Sequence, residues 1–314
     1  MPVLESGEEI LVGGQAVMEG VMMRAPHSYC VAVRRASGEM VTEEAPLAKV
    51  SEKYPIFRYP VLRGLGTLGQ AMKLGVKALQ FSANALMEDE ELKTGKPKKK
   101  ETFSSWTMAI SLILNLAFFI FLYKFVPLFL ATQLEKSFPV VHNRILFNAV
   151  DGGIRIILFL GFLYLISRWK DIHRVFEYHG AEHKVVYNYE SGKPVTVENA
   201  QKFTTLHPRC GTSFLLVVMV ISMVIYTLLP FDGFAAKFAA RIALLPVIAG
   251  LSYELIRFAA KRKGSAMAAL TAPGLWLQKI TTQPPADDQT AVAIHALEGA
   301  MELEKKQGGE LVIA

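Results

Sequence analysis

The segment FLLVVMVISMVIYTLL, residues 214–229, decides the architecture of this chain because it is a long apolar run without a charged side chain. Branched residues and methionine dominate it, which is typical of a helix that crosses a bilayer. Further apolar blocks lie at residues 106–130, 154–166 and 239–260. The block at 154–166 is short, so a span there has to extend over residues 151–168. We therefore expect about four transmembrane helices, with one re-entrant or strongly tilted segment as the main alternative.

The composition also indicates a membrane protein. The 314 residues are 52% hydrophobic, and the mean hydropathy of +0.30 is too high for an ordinary soluble domain of this size. Basic cytoplasmic loops explain the net charge of +6, and no nucleic-acid recognition module is visible, so we expect no nucleic-acid partner. The two cysteines, Cys30 and Cys210, do not form a disulfide framework. The acidic N-terminus lacks a signal-peptide pattern.

The positions of lysine and arginine predict the orientation of the spans. Basic residues are dense in residues 93–100, 168–209 and 257–263, whereas the segments after the first and third apolar blocks carry few. Because cytoplasmic loops carry the excess of basic residues, we expect both termini in the cytoplasm. That compartment is reducing, so Cys210 is expected as a thiol or thiolate that can bind a metal.

The chain divides into segments that differ in composition. These are an N-terminal cytoplasmic β module (1–55), an amphipathic helix and basic linker (56–101), a first transmembrane pair (102–168), a cytoplasmic His/Cys loop (169–213), a second transmembrane pair (214–263) and a cytoplasmic C-terminal loop and helix (264–314). Alternating residues around Ser37 and Gly38 predict a β-hairpin in the first segment. The glycine-rich residues 13–26 are either a strand and turn or a loop that contributes to a site.

The predicted fold class is therefore a mainly α membrane protein with a small β-hairpin module on the cytoplasmic side. Besides about four transmembrane helices, it contains an amphipathic surface helix. Leucine, methionine and valine recur at helical spacing between Leu62 and Leu79, with lysine and arginine between them. This pattern predicts a helix that lies on the bilayer surface or packs against the spans.

The candidate chemistry lies in EYHGAEHK, residues 177–184, and in HPRC, residues 207–210. In a helix, His179 and His183 lie one turn apart on the same face, with Glu182 beside them. Together they match the pattern H-x-x-E-H, in which two imidazoles hold zinc and the glutamate activates a water molecule.

Two alternatives to a metal site remain open. Gly180 weakens the required helix, and the histidines of a solvated loop beside the membrane can simply bond to carboxylates. Cys210 could also act as a nucleophile, with a histidine partner and Glu182 as the orienting group. However, four of the seven histidines fall between His173 and His207. We therefore expect a divalent metal, zinc, and draw its ligands from one set: His179, His183, His207 and Cys210.

Four long motifs together resemble those of the YqhQ-like family of bacterial membrane proteins. The motifs are GGQAVMEGVMMR (13–24), EYHGAEHK (177–184), HPRCGTSF (207–214) and TAPGLWLQKITT (271–282). The resemblance extends over residues 13–297. This family carries a domain of unknown function and is described as predicted metal-dependent enzymes. The resemblance implies a location in the bacterial inner (plasma) membrane, and it places Glu19 and the candidate ligands in signature motifs.

Three functional hypotheses follow. The first is a metal-dependent hydrolase at the cytoplasmic membrane surface, in which Glu182 is the general base and Glu19 or Arg24 completes the pocket. Its substrate would be lipid-linked or a membrane protein. The second is a membrane scaffold or assembly factor with a closed structural His/Cys metal site or a hydrogen-bonded network. The third, a transporter, is disfavoured because the apolar blocks carry few internal ionisable residues.

Overall fold

The structure is a computed structural model that describes residues 12–48, 50–94, 105–208, 210–260 and 268–306. Residues 95–101 of the predicted basic linker therefore lie outside the described residues. The N-terminal part forms a four-stranded antiparallel sheet in the order β1-β2-β3-β4. Its strands are β1 (Gly13–Val17), β2 (Gly20–Arg24), β3 (Ser28–Arg34) and β4 (Met40–Pro46).

The rest of the described chain is mainly helical. The helices are α1 (Val50–Lys53), α2 (Leu62–Thr94), α3 (Ser105–Ile120), α4 (Val126–Ser137), α5 (Arg144–Ser167), α6 (Lys170–Glu190), α7 (Val197–Gln201), α8 (Gly211–Leu228), α9 (Phe234–Ala243), α10 (Leu245–Ala260), α11 (Ala268–Thr281) and α12 (Asp287–Lys306). A π-helical turn, Phe121–Phe125, joins α3 to α4. The segment predicted as a His/Cys loop thus contains α6 and α7.

The sheet contains the predicted hairpin and two more, because all three pairs of consecutive strands are antiparallel. Strands β3 and β4 pair around the expected turn, where Gly38 has a φ of +89°. Strands β1 and β2 pair through a two-residue connection in which Glu19 has a φ of +53°. The glycine-rich segment is therefore a hairpin of its own, and its positive φ at Glu19 is of the kind that tight hairpin turns require.

Both faces of the sheet are covered, which explains why β3 is buried almost throughout rather than alternating. One face, with Val21 and Met23, packs against α6 and α12. The other face, with Met22 and Val31, packs against Leu74 of α2. The predicted amphipathic helix is thus present, and its buried residues cover the sheet. A second apolar face of α2, which includes Met72 and Val76, stays exposed.

Among the described residues, three helical segments are long and apolar enough to cross a membrane. They are Ile113–Ser137, Arg144–Ser167 and Gly211–Leu228. A fourth candidate is the pair Phe234–Ala243 and Leu245–Phe258, which is bent by 51° at the break between its helices. Three or four candidate spans agree with the prediction, and the bend is of the kind expected for a re-entrant or broken span.

Charged side chains lie inside this helical bundle. Asp151 accepts a hydrogen bond from Arg155 Nη2 at 2.6 Å and another from Arg241. Lys124 donates to the hydroxyl of Tyr226 at 3.1 Å. At most 9% of each of these charged residues is exposed. The expectation of few internal ionisable residues was therefore wrong. Asp151, Arg155 and Arg241 lie at or beyond the ends of the apolar blocks but within helices, and Lys124 lies inside the block 106–130.

The segment between α11 and α12 packs closely against α6. The backbone N–H of Gln283 donates to the carbonyl of Phe176 at 2.9 Å. A Cβ atom at Gly180 would overlap the carbonyl oxygen of Gln283. Gly180 therefore permits the close approach of the segment between α11 and α12, and this contact outweighs its weak helix propensity.

We predict that Gly180→Ala lowers the free energy of unfolding by about 1–3 kcal/mol, since an added methyl group has no room here. The measurement is thermal unfolding of the detergent-purified protein. Gly161→Ala is the matched control, because it also lies within a helix and a Cβ atom there meets nothing within 4 Å. Equal unfolding temperatures for both variants would contradict the proposed contact.

We also predict that Asp151→Asn lowers the free energy of unfolding by about 3–5 kcal/mol, because it leaves two buried guanidinium groups without their carboxylate. The same thermal unfolding assay measures the loss. The control is Glu198→Gln, whose exposed carboxylate pairs with Lys202 at 2.8 Å and should not change the unfolding temperature. An unchanged unfolding temperature in Asp151→Asn would show that the bundle does not depend on this carboxylate.

Candidate metal centre

Helix α6 places the two histidines of the H-x-x-E-H pattern on one face, as predicted. The ring centroids of His179 and His183 are 4.5 Å apart, as expected for residues separated by one helical turn. His183 is buried, whereas His179 is half-buried, so one side of the pair is accessible.

Both imidazoles are oriented by backbone carbonyl groups. Nδ1 of His179 bonds to the carbonyl oxygen of Thr281 at 2.8 Å, and Nδ1 of His183 bonds to the carbonyl oxygen of Thr205. A carbonyl oxygen can only accept, so Nδ1 carries the proton in both rings. In the neutral rings each Nε2 then has a free lone pair, which is the usual arrangement for histidine metal ligands.

Cys210 completes the group from the first turn of α8. Its Sγ lies 3.3 Å from Nε2 of His179. It caps the helix, because the backbone N–H of Thr212 donates to Sγ at 3.5 Å. The positive end of the helix dipole favours negative charge on a group at this position.

One ligand atom each from His179, His183 and Cys210 lies within 4.8 Å of the others. Tetrahedral zinc with bonds of roughly 2.0–2.3 Å places its ligand atoms about 3.5 Å apart, so small side-chain movements would bring these atoms into range. Two imidazoles and a thiolate are a donor set that zinc accepts. The residues present therefore fit a divalent metal with three protein ligands.

Glu182 lies beside this group but is not one of its three members. Its side chain is buried, and Oε2 is 3.4 Å from Nε2 of His183. The glycine-rich hairpin forms the wall behind it, since a Cβ atom at Gly14 would lie 2.7 Å from the Cγ atom of Glu182. This glycine-rich segment thus contributes to the site because Gly14 leaves room for the side chain of Glu182.

His207, the fourth predicted ligand, lies next to the group and outside it. Its ring centroid is 5.6 Å from that of His183 and 4.5 Å from that of Tyr187. Burial lowers the pKa of His207, and the nearby carboxylate of Glu182 raises it by a smaller amount. His207 Nε2 is 3.7 Å from Oε2 of Glu190.

The two other predicted pocket residues lie elsewhere. The carboxylate of Glu19 accepts a hydrogen bond from Nη2 of Arg174 at 2.7 Å and one from the hydroxyl of Tyr178 at 3.2 Å. Arg24 is two residues from Met22 on the same strand, so it shares the face toward α2, and its electrostatic partner is Tyr253 of α10. The structure therefore does not bring either residue to the three-ligand group.

A buried amide that sequence reasoning missed holds the loop before Cys210. Gln278 accepts from the backbone N–H of His207 at 2.7 Å and donates to its carbonyl oxygen at 2.8 Å. It also donates to the hydroxyl of Ser213 at 3.1 Å. Gln278 and Thr281 belong to the motif at residues 271–282, so the only sequence signal was the presence of that motif beside the two His/Cys motifs.

Comparisons with known proteins place these motifs in one family. Residues 59–303 match the family model described as "Protein of unknown function (DUF1385)". The chain is 37% identical over 297 residues to "Uncharacterized protein YqhQ" of Bacillus subtilis (strain 168), which covers 93% of this chain and 92% of that relative. No solved structure matches the chain. The chain belongs to the YqhQ-like DUF1385 family, as its four long motifs predicted.

Proposed function

We propose that this protein is a metal-dependent hydrolase that acts at the cytoplasmic surface of the bacterial plasma membrane. The observation that carries the proposal is the orientation of the two imidazoles. Carbonyl oxygens hold both Nδ1 protons, which leaves the Nε2 lone pairs available, and one ring nitrogen each of His179 and His183 lies within 4.8 Å of Sγ of Cys210.

These three side chains would hold a divalent metal, and zinc suits them best because it accepts both nitrogen and sulfur ligands. Three protein ligands leave one position of a tetrahedral site for water or substrate, as in catalytic zinc sites. When bound, the metal would supply Lewis acidity and make water a better nucleophile near neutral pH. The accessible side of the group, next to half-buried His179 and Cys210, provides a route to it.

Glu182 is the residue we assign as general base. A general base has to lie within reach of the proton that it removes, and its carboxylate adjoins Nε2 of His183 without belonging to the ligand group. Its burial keeps bulk water away from the carboxylate and strengthens its electrostatic interactions. Gly14 keeps this side of the pocket free of a competing side chain.

The position of the group on α8 indicates where the substrate would lie. Cys210 caps a helix that is apolar enough to span a bilayer, so the group sits at the level where that span begins. The basic residues near it in sequence favour the cytoplasmic side. A lipid-linked molecule or a membrane protein is therefore the class of substrate that we propose.

One observation favours the alternative of a closed, structural site in a membrane scaffold. The ring of His207 lies 5.6 Å from that of His183, and a rotation of its side chain could add a fourth ligand. Four protein ligands would leave no position for water, which is the arrangement of structural zinc sites.

Metal content tests the proposed site directly. We predict about one zinc per chain in the purified wild type, loss of zinc in His183→Ala, and retention in Glu182→Gln, which removes the base and not a ligand. Elemental analysis of detergent-purified protein measures this. The matched control is His173→Ala, an exposed histidine on the same helix. Wild type without metal, in a protein that is folded, would refute the proposal.

Cobalt substitution distinguishes an open site from a closed one. With Co²⁺ bound, we predict a thiolate-to-metal charge-transfer band that is lost in Cys210→Ser, because the sulfur is a ligand. In the hydrolase, His207→Ala keeps both the metal and this band, since three ligands remain. Loss of the metal in His207→Ala would instead support the closed site and the scaffold function.

A further inference from the structure

A second polar site lies at the other end of the helical bundle. Helix α8 begins at the His/Cys group and ends at Leu228, and the next residue, Leu229, lines a cavity of about 140 Å³. The cavity has room for several water molecules. Its mouth includes Arg144, the first residue of α5, and its inner wall includes Arg241 and Asn148. The length of α8 thus separates this cavity from the candidate metal centre.

The inner wall of this cavity adjoins an excess of positive charge. Arg155 and Arg241 share the single carboxylate of Asp151, and Lys124 lies close by without an ion pair to a described carboxylate. Arginine stays protonated in proteins, so the two guanidiniums alone exceed the carboxylate by one charge. A protonated Lys124 makes the excess two.

The groups already present stabilise these cations only in part. The ring of Tyr226 lies 5.5 Å from the Lys124 ammonium, 5.5 Å from the Arg155 guanidinium and 4.9 Å from that of Arg241. One ring face attracts cations but carries no net charge. An uncompensated charge is costly in a medium of low dielectric constant, so a bound anion would offset the remaining excess.

The geometry at the mouth also favours an anion that enters from the end of the bundle. Arg144 is exposed there, Lys237 lies 3.9 Å from Glu135, and Asp232 also lines the cavity, so two cationic and two anionic side chains balance at the entrance. The excess of positive charge increases inward, toward Arg241. A negatively charged group that enters the cavity thus moves from a neutral rim to a cationic wall.

We propose that this cavity binds a phosphate group between Arg241 and the mouth of the bundle. A guanidinium matches the geometry of phosphate oxygens, and its planar donors can bind two of them at once. Asn148 accepts from Nη2 of Arg241 at 3.2 Å and orients that fork. Because the cavity opens where the spans end, the phosphate comes either from an anionic lipid headgroup or from free phosphate.

The test uses the full-length protein in a neutral detergent and in phosphatidylcholine nanodiscs. Thermal unfolding is followed as inorganic phosphate replaces chloride at constant ionic strength, and separately as phosphatidylglycerol is added to the nanodiscs. We expect one of these probes to raise the unfolding temperature of the wild type, since a ligand stabilises the state that binds it. A response to phosphatidylglycerol alone assigns the lipid headgroup, and a response to phosphate assigns the free anion.

Variants connect the response to the cavity. Arg241→Gln should lower the affinity for the probe that stabilises the wild type by about tenfold or more. Arg241→Lys keeps the charge beside Asp151 and serves as the variant to test if Arg241→Gln does not fold. Arg144→Gln and Arg168→Gln form a matched pair, because both remove an exposed arginine, at opposite ends of α5.

Arg144→Gln should lower the affinity for this probe by about threefold, whereas Arg168→Gln should leave that affinity unchanged. If neither probe stabilises the wild type, or if Arg144→Gln and Arg241→Lys both respond like the wild type, the proposal is wrong.

Discussion

The close approach of the segment between α11 and α12 to Gly180 of α6 is the contact on which the candidate metal centre depends. It brings the carbonyl oxygen of Thr281 within 2.8 Å of His179 Nδ1, which fixes the tautomer and direction of that ring. Helix α11, which leads into this segment, carries Gln278, whose amide bonds to both backbone groups of His207 and so holds the loop before Cys210. Two ligands thus depend on a stretch of chain that supplies none itself.

Buried polar groups also find partners in the candidate spans. A charged side chain within an apolar helix is tolerated only where it faces other polar groups, and Asp151 meets this condition by joining Arg155 of its own helix to Arg241 of α9. The bend of 51° between α9 and α10 follows immediately after Arg241. The polar cluster and the bend of this candidate span therefore lie close together in sequence.

The sequence predicted the helix, the spacing of His179 and His183, the β-hairpin, the number of candidate spans and the family. These features follow from local periodicity and from long motifs. The carbonyl partners of the two histidines were not predictable, because every residue has a carbonyl group and only the fold selects Thr205 and Thr281. Gly180 was interpreted as a weakness of the helix, since the benefit of a missing Cβ is visible only when the neighbouring chain is in place. The charges within the helical bundle were misjudged because three of them lie at or beyond the edges of the apolar blocks and because Lys124 was overlooked inside one.

Helix α8 connects the two polar sites and suits both. A helix carries about half a positive elementary charge at its first turn and half a negative one at its last. The sulfur of Cys210 caps the first turn, where an anionic ligand atom is stabilised. The last turn carries Tyr226, whose ring lies against three cationic side chains, Lys124, Arg155 and Arg241. The dipole thus has the right sign at both ends. However, half a charge is smaller than the excess of one or two charges beside Tyr226, so the dipole lowers the cost of burying these cations without removing the reason for them to bind an anion.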